Sequence, residues 1–330
     1  MLRVAMTDAT AVDPSKTAGS ARWSPAGGNA SRRTGALFVL LAATLWSTGG
    51  VGVKVAVAEP LVIAGLRSAF AFAFMIAVVL LRGAAAHVVG LLKRPLVWAA
   101  AASYALMVVT FVLAARRTTA ANTIFIQYTG PIYVALLSGP LLGERPSRHD
   151  LLAVVGCVVG MGLAFGGELG GGRAEGNFLA LLSSFGFGGL PLLLRLDQKR
   201  LEREGGGSAR DASAAPHAPL VAMSLGNALA ALVALPAIVA HPPDGEERVR
   251  TWIVLFLLGT VQIGLAYVLY GIAVRRLRAL ESSLLATIEP VLSPIWVLFA
   301  TGERPSVMAA AGGAVIVLAV IVQALGKRTR

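Results

Sequence analysis

Glu289 is a carboxylate near the middle of an apolar run, about midway between Arg278 and Glu303. In hydrocarbon such a group costs at least ~2.5–3.5 kcal/mol on insertion scales, so it must face a cavity, be paired or be protonated. On a continuous helix, Ser282 seven residues before it and Ser293 four after it share its face, which predicts a polar stripe. Pro290 follows directly, and its missing N–H would free a carbonyl beside the carboxylate. An acid so placed suits reversible protonation. The plainer reading is a neutral glutamate hydrogen-bonded to a neighbouring helix.

A second apolar run carries Thr123 and Gln127 on one face, with Asn122 and Tyr128 adjacent. These are cavity candidates, and interhelical hydrogen bonding accounts for them equally well. Arg67 sits one to two turns inside another run; the favoured reading is that it snorkels outward or pairs with Glu59. The other reading is a cation for a carboxylate or phosphate near a cavity mouth. Trp46 with Ser47, and Gln262 with Tyr267 and Tyr270, are further candidates for a cavity wall. Each is weak by itself, since an aromatic at helical spacing usually packs.

The elements that must position these residues are membrane spans. Hydrophobic residues make up 56% of the 330, charged residues 14%, and the mean hydropathy is +0.74. Globular chains are about a quarter charged. The apolar runs are about 20 residues long, enough to cross a bilayer as helix. A lipid bilayer is therefore the partner of this all-α polytopic chain. The net charge of +12 sits in short loops between apolar runs, without interleaved aromatics, so it sets topology and does not point to nucleic acid. Cys157 is the only cysteine, which excludes a disulfide framework and a thiolate metal site. No HExxH or GxxxxGK[ST] pattern is present, and no cofactor is expected.

Ten spans are expected near 35–55, 60–81, 95–115, 119–141, 150–167, 176–195, 217–240, 250–273, 280–300 and 306–325. Residues 1–33 read as a disordered cytoplasmic tail, 196–216 as a charged Gly/Ser/Ala-rich cytoplasmic linker and 326–330 as a basic C-terminal tail. With the N-terminus inside, 21 Lys and Arg fall in inner segments and 7 in outer ones, which predicts both termini in the cytoplasm.

The chain also contains a duplication. Residues 121–147 and 280–306 each hold a central proline, Pro131 or Pro290, and each ends in GERPS. Both prolines, Glu144 with Glu303, and Arg116-Arg117 with Arg275-Arg276 share an offset of 159. Upstream, Gly35 matches Gly176 and Trp46 matches Phe187 at an offset of 141. Two halves, 34–167 and 168–325, each of five spans, must enter the membrane from opposite faces. Inverted-topology repeats of this kind are common in secondary transporters, with the substrate site near the midplane. The GERPS residues Glu144, Arg145, Glu303 and Arg304 read as structural, with Pro146 and Pro305 opening the next helix and the glutamate offsetting its dipole or pairing with an arginine.

A proline-centred span ending in Leu142-Gly143-Glu144-Arg145, followed by the Gly-rich span LLAVVGCVVGMGLAFGG, resembles the EamA domain of the drug/metabolite transporter superfamily. The second copy has Thr301-Gly302-Glu303-Arg304 at the matching place. Two tandem EamA-like halves would cover about 35–325. The resemblance implies ten transmembrane helices as two inverted five-helix repeats around a central cavity, and export or exchange of a small metabolite such as an amino acid, sugar or drug-like compound. Arg67 also matches an arginine often seen in the second span of such proteins. Protons are the economical coupling ion, with facilitated diffusion the alternative. A membrane-embedded enzyme acting on a lipid-linked substrate is the competing class, but the clustered His, Asp or Glu it needs at a membrane face are missing. A homodimer through lipid-facing Gly/Ala surfaces is left open.

Overall fold

The computed structural model describes residues 28–49, 52, 55–166, 174–203, 214–302 and 306–325. Among them the chain is helical: α1 (Gly28–Ser47), α2 (Pro60–Leu81), α3 (Ala85–Leu92), α4 (Pro95–Arg117), α5 (Ala120–Gln127), α6 (Gly130–Leu142), α7 (Arg148–Phe165) and α8 (Ala174–Arg203) come first. A short turn at Ala215–His217 leads into α9 (Ala218–Ala240), followed by α10 (Arg248–Leu257), a π-helical segment (Leu258–Leu265) and α11 (Ala266–Ala273). α12 (Ala279–Ala286), α13 (Glu289–Thr301) and α14 (Val307–Leu325) complete the bundle.

Eight segments among the described residues are long and apolar enough to cross a membrane. The other two expected spans are helical at their places, as α1 and as α12 with α13, but fall outside the eight. α1 opens on the polar run Asn29 to Thr34, α12–α13 carry Glu281, Ser282, Ser283 and Glu289, and both spans run up to residues outside those described. α1 begins at Gly28, ahead of the expected Gly35, and α8 runs on to Arg203, so the start of the expected linker is helix. Residues 1–27, 204–213 and 326–330 of the expected tails and linker lie outside the described residues, as do Glu303 and Arg304.

Packing across the bundle repeats with the halves exchanged. α4 lies along α8 as α11 lies along α1, α9 along α4 as the π segment along α2, and α6 along α8 as α13 along α1. Small residues permit the approach. A Cβ on Gly176 would meet the Arg117 carbonyl carbon at 2.5 Å and Thr118 N at 2.6 Å, and one on Gly35 would meet Arg276 Cβ at 3.0 Å and Leu277 Cγ at 3.1 Å. These two contacts are the same contact in the two halves. Gly160 of α7 and Gly312 of α14 likewise bring two backbones together, so packing replaces the hydrophobic drive that lipid cannot supply. Leu152, Val155 and Val159 of α7 and Leu318 of α14 stay exposed on the outer surface, where acyl chains would lie.

The central spans break in register. α5 ends at Gln127 and α6 begins at Gly130; α12 ends at Ala286 and α13 begins at Glu289, each boundary shifted by 159. The prolines explain this differently from the sequence reading. Pro131 and Pro290 sit in the first turn of α6 and α13, where an N–H has no intrahelical partner to lose. The break also undoes the expected polar stripe, because the seven-residue spacing from Ser282 to Glu289 is not carried along one continuous helix. Ser282 instead donates to its own Ala279 carbonyl at 2.9 Å. Both central spans end on a glycine in the left-handed region, Gly143 at φ 65° and Gly302 at φ 75°.

The GERPS motif keeps the expected arginine pairing of its glutamate but not the expected role of its proline, since Pro146 precedes the cap residue and does not open α7. Ser147 caps α7: its hydroxyl accepts from Asp150 N at 3.2 Å while the Asp150 carboxylate accepts from Ser147 N at 2.8 Å. Ser306, its counterpart, accepts from Ala309 N at 3.1 Å. Glu144 does not serve the following helix; it is buried against Arg195 at 2.8 Å and Lys199 at 3.1 Å on α8. The start of α1 and the end of α14 are joined at one face by Arg32–Glu281, Glu281–Arg278, Arg278–Asp150 and Asp150–Gln323 contacts. That face is called the terminal face below.

Candidate functional site

The two helix breaks meet in the middle of the bundle. Tyr128, in the break between α5 and α6, donates its hydroxyl to Glu289 Oε2 at 2.6 Å, across to the start of α13. Glu289 lies in the first turn of α13, where the helix dipole favours an anion. The acid is therefore placed by the same break that its neighbour Pro290 initiates.

Around this pair is a cavity of about 100 Å³. Trp46 of α1, Arg67 of α2, Phe111 of α4 and Phe187 of α8 line it, with Gln127, Tyr128, Gln262, Tyr267 and Glu289. Both halves contribute, and the matched residues Trp46 and Phe187 both reach it. Arg67 is not paired with Glu59 and does not turn outward; its guanidinium faces the cavity that Glu289 also faces, with no direct ion pair between them among the described residues. Arg67 is the eighth residue of α2, about two turns in from Pro60. In a site of low dielectric, two opposite charges that share a cavity remain strongly coupled without contact.

Several polar atoms here lack partners. Arg67 Nε, Trp46 Nε1 and Gln262 Oε1 are buried without a hydrogen bond, although nearly all buried polar groups have one. The other end of the Gln262 amide is fixed, donating from Nε2 to the Trp46 carbonyl at 3.1 Å. Gln262 belongs to the π-helical segment, a local widening that recurs at functional sites and that no spacing in the sequence announces. Aromatic packing frames the site: Trp46 and Tyr267 have ring centroids 4.8 Å apart, as do Tyr104 and Tyr267.

Not every expected residue joins it. Gln127 lines the cavity and donates to Ser183 at 3.1 Å. Asn122 points away into a structural network, donating to Thr118 at 3.0 Å and Asn177 at 3.2 Å. Ser282 donates to its own backbone and its side chain also hydrogen-bonds Tyr270, and Ser293 is half-buried on α13; neither lines the cavity. The sequence reading missed Tyr104, whose hydroxyl donates to the buried Asn227 Oδ1 at 3.1 Å behind Tyr267. It also missed Phe111. The offset of 159 from Tyr270 was the available signal for Phe111.

The model of the EamA-like transporter family matches this chain at residues 33–166 and 211–325. The chain belongs to the EamA-like transporter family. It is a multi-pass membrane transporter and not an enzyme, which removes the lipid-linked-substrate alternative. No curated protein matches it. A solved crystal structure of a protein 21% identical in sequence superposes with a TM-score of 0.71, covering 91% of this chain and 100% of its own, which shows a shared fold.

Proposed function

We propose that this EamA-like transporter exports or exchanges a small metabolite by alternating access of two inverted five-helix halves, 34–167 and 168–325, and that Glu289 carries the coupling proton. The observation that carries this reading is the Tyr128–Glu289 hydrogen bond at 2.6 Å between the two helix breaks, in a cavity shared with Arg67. A site joining both halves through one titratable group responds to any movement between them. The paired packing of the halves and the in-register breaks support the inverted repeat, because an odd number of spans per half reverses the second copy. The charge bias of the loops supports a terminal face in the cytoplasm.

Arg67 and Trp46 are the groups to hold an anionic part of the substrate, and Gln262 Oε1 accepts from a donor on it. The test is uptake into proteoliposomes of a broad panel of amino acids, sugars and organic cations, with and without an imposed pH gradient. Accumulation of at least one member that requires the gradient is expected. Equal movement with and without it would remove proton coupling.

A further inference from the structure

The central cavity continues toward the terminal face as a line of voids. Along α8, Phe187 lines the cavity, Leu190 and Pro191 line a residual void of about 10 Å³, and Leu194, Gln198 and Leu201 line a recess of about 210 Å³. These positions recur at three and four residues, so they form one helix face, and each step rises about 5 Å. The opposite wall steps in the same way, through Tyr267, Tyr270 and Val274 at the end of α11. The middle void, at about 10 Å³, lies at the lower limit for one ordered water and passes no solute. Tyr270 fills that level, with its ring centroid 5.4 Å from that of Trp46. Ser283, also lining the constriction, has a buried hydroxyl with no hydrogen-bond partner. That unmet hydroxyl fits a passage that becomes wet in another state.

The internal repeat assigns a counterpart to this closure. Tyr270 matches Phe111 at the offset of 159, and Trp46 matches Phe187 at 141. Phe111 lines the cavity about two turns from the end of α4 that lies away from the terminal face, and Phe187 lines both the cavity and the constriction, as its counterpart Trp46 does. Among the described residues no ring contact joins Phe111 to Phe187, whereas Tyr270 packs on Trp46. The two matched pairs are thus unequal: one is shut and the other apart.

We infer that Tyr270 on Trp46 is the closed gate of the transport path toward the terminal face, that the recess beside Leu194 and Gln198 is its loading vestibule, and that Phe111 with Phe187 is the matching gate on the other side. This rests on the alternating-access reading above. The vestibule combines apolar Leu194, Leu201 and Val274 with Glu202 and Arg275, a lining of both signs that suits a small polar solute with an apolar part.

Thiol accessibility tests the gate without a known substrate, and so separately from proton coupling. In a Cys157→Ser background, Gln198→Cys and Ser283→Cys are exposed to the membrane-impermeant reagent 2-sulfonatoethyl methanethiosulfonate, applied to either face in intact spheroplasts and inside-out vesicles. Gln198→Cys should label quickly from the terminal face, and Ser283→Cys at least tenfold more slowly. Tyr270→Ala should raise Ser283→Cys labelling from that face at least tenfold and leave Gln198→Cys unchanged, which also reports that the variant has folded. Tyr270→Phe, which keeps the ring, should leave Ser283→Cys slow. The inference is overturned if Gln198→Cys labels from neither face, or if Tyr270→Ala leaves Ser283→Cys as slow as before.

Discussion

The Tyr128 hydroxyl donates to Glu289 at 2.6 Å, and the two residues stand at equivalent helix breaks in opposite halves of the chain. Neither half supplies both partners: Gly130 occupies the place of Glu289, and Thr287 the place of Tyr128. The Tyr128–Glu289 pair is therefore a property of the interface between the halves. A hydrogen bond to a charged group contributes about 1.5–3 kcal/mol. Tyr128→Phe should accordingly lower gradient-driven transport by roughly tenfold or more and also lower the thermal midpoint in detergent by a few degrees.

Arg67 offers the cavity a guanidinium whose Nε has no partner. Arg67→Gln should raise KM for anionic or zwitterionic panel members by at least tenfold and leave neutral sugars unaffected. Arg67→Lys should restore only part of the loss, since an ammonium cannot reproduce the planar fork of donors. Competition curves against a transported panel member would measure both.

The ion pairs of this protein should differ widely in worth. Glu144–Arg195 has side chains 4% and 1% exposed, whereas Arg117–Glu175 has 43% and 64%. Removing one partner of a buried pair costs about 3–5 kcal/mol, while exposed pairs contribute about 0–1 kcal/mol. Glu144→Ala should therefore lower the detergent melting temperature by many degrees, and Glu175→Ala should scarcely move it.

The matched glycines separate backbone from side-chain crowding. A Cβ at Gly176 meets backbone atoms at 2.5 and 2.6 Å, and one at Gly35 meets side-chain atoms at 3.0 and 3.1 Å. Overpacking costs about 1–3 kcal/mol where neighbours cannot give way. Gly176→Ala should be the more destabilising of the two in parallel thermal melts.

Much of this arrangement was legible because duplication fixes register. The offset of 159 paired the two central prolines and the two GERPS ends, and the offset of 141 paired Trp46 with Phe187. The helix breaks, left-handed glycines and serine caps fall at matched positions but were not foreseen, because each central span was expected to be continuous. Hydropathy found an acid and an arginine in apolar surroundings, but not what they face. Arg67 could be turned outward or inward by a rotation that no local spacing encodes. Asn122 and Gln127 looked alike in sequence and diverge because Asn177 and Ser183 of α8 capture them at different depths. The stripe through Ser282 failed because a proline in a first turn starts a new helix where the pattern assumed an old one. The buried Asp150–Arg278–Gln323 cluster joins residues far apart in the chain, and only packing brings them together.

The central claim is that Glu289 carries the coupling proton, and one comparison tests it most directly. Native protein and Glu289→Gln are reconstituted at equal density and given the same transported solute under an imposed pH gradient. Glutamine keeps the size and an acceptor for Tyr128 but cannot release a proton. The account predicts that the native protein accumulates solute against its concentration gradient, while the variant only equilibrates it or exchanges it one for one. Gradient-driven accumulation of equal extent in both would contradict the account and leave Glu289 as a structural partner of Tyr128.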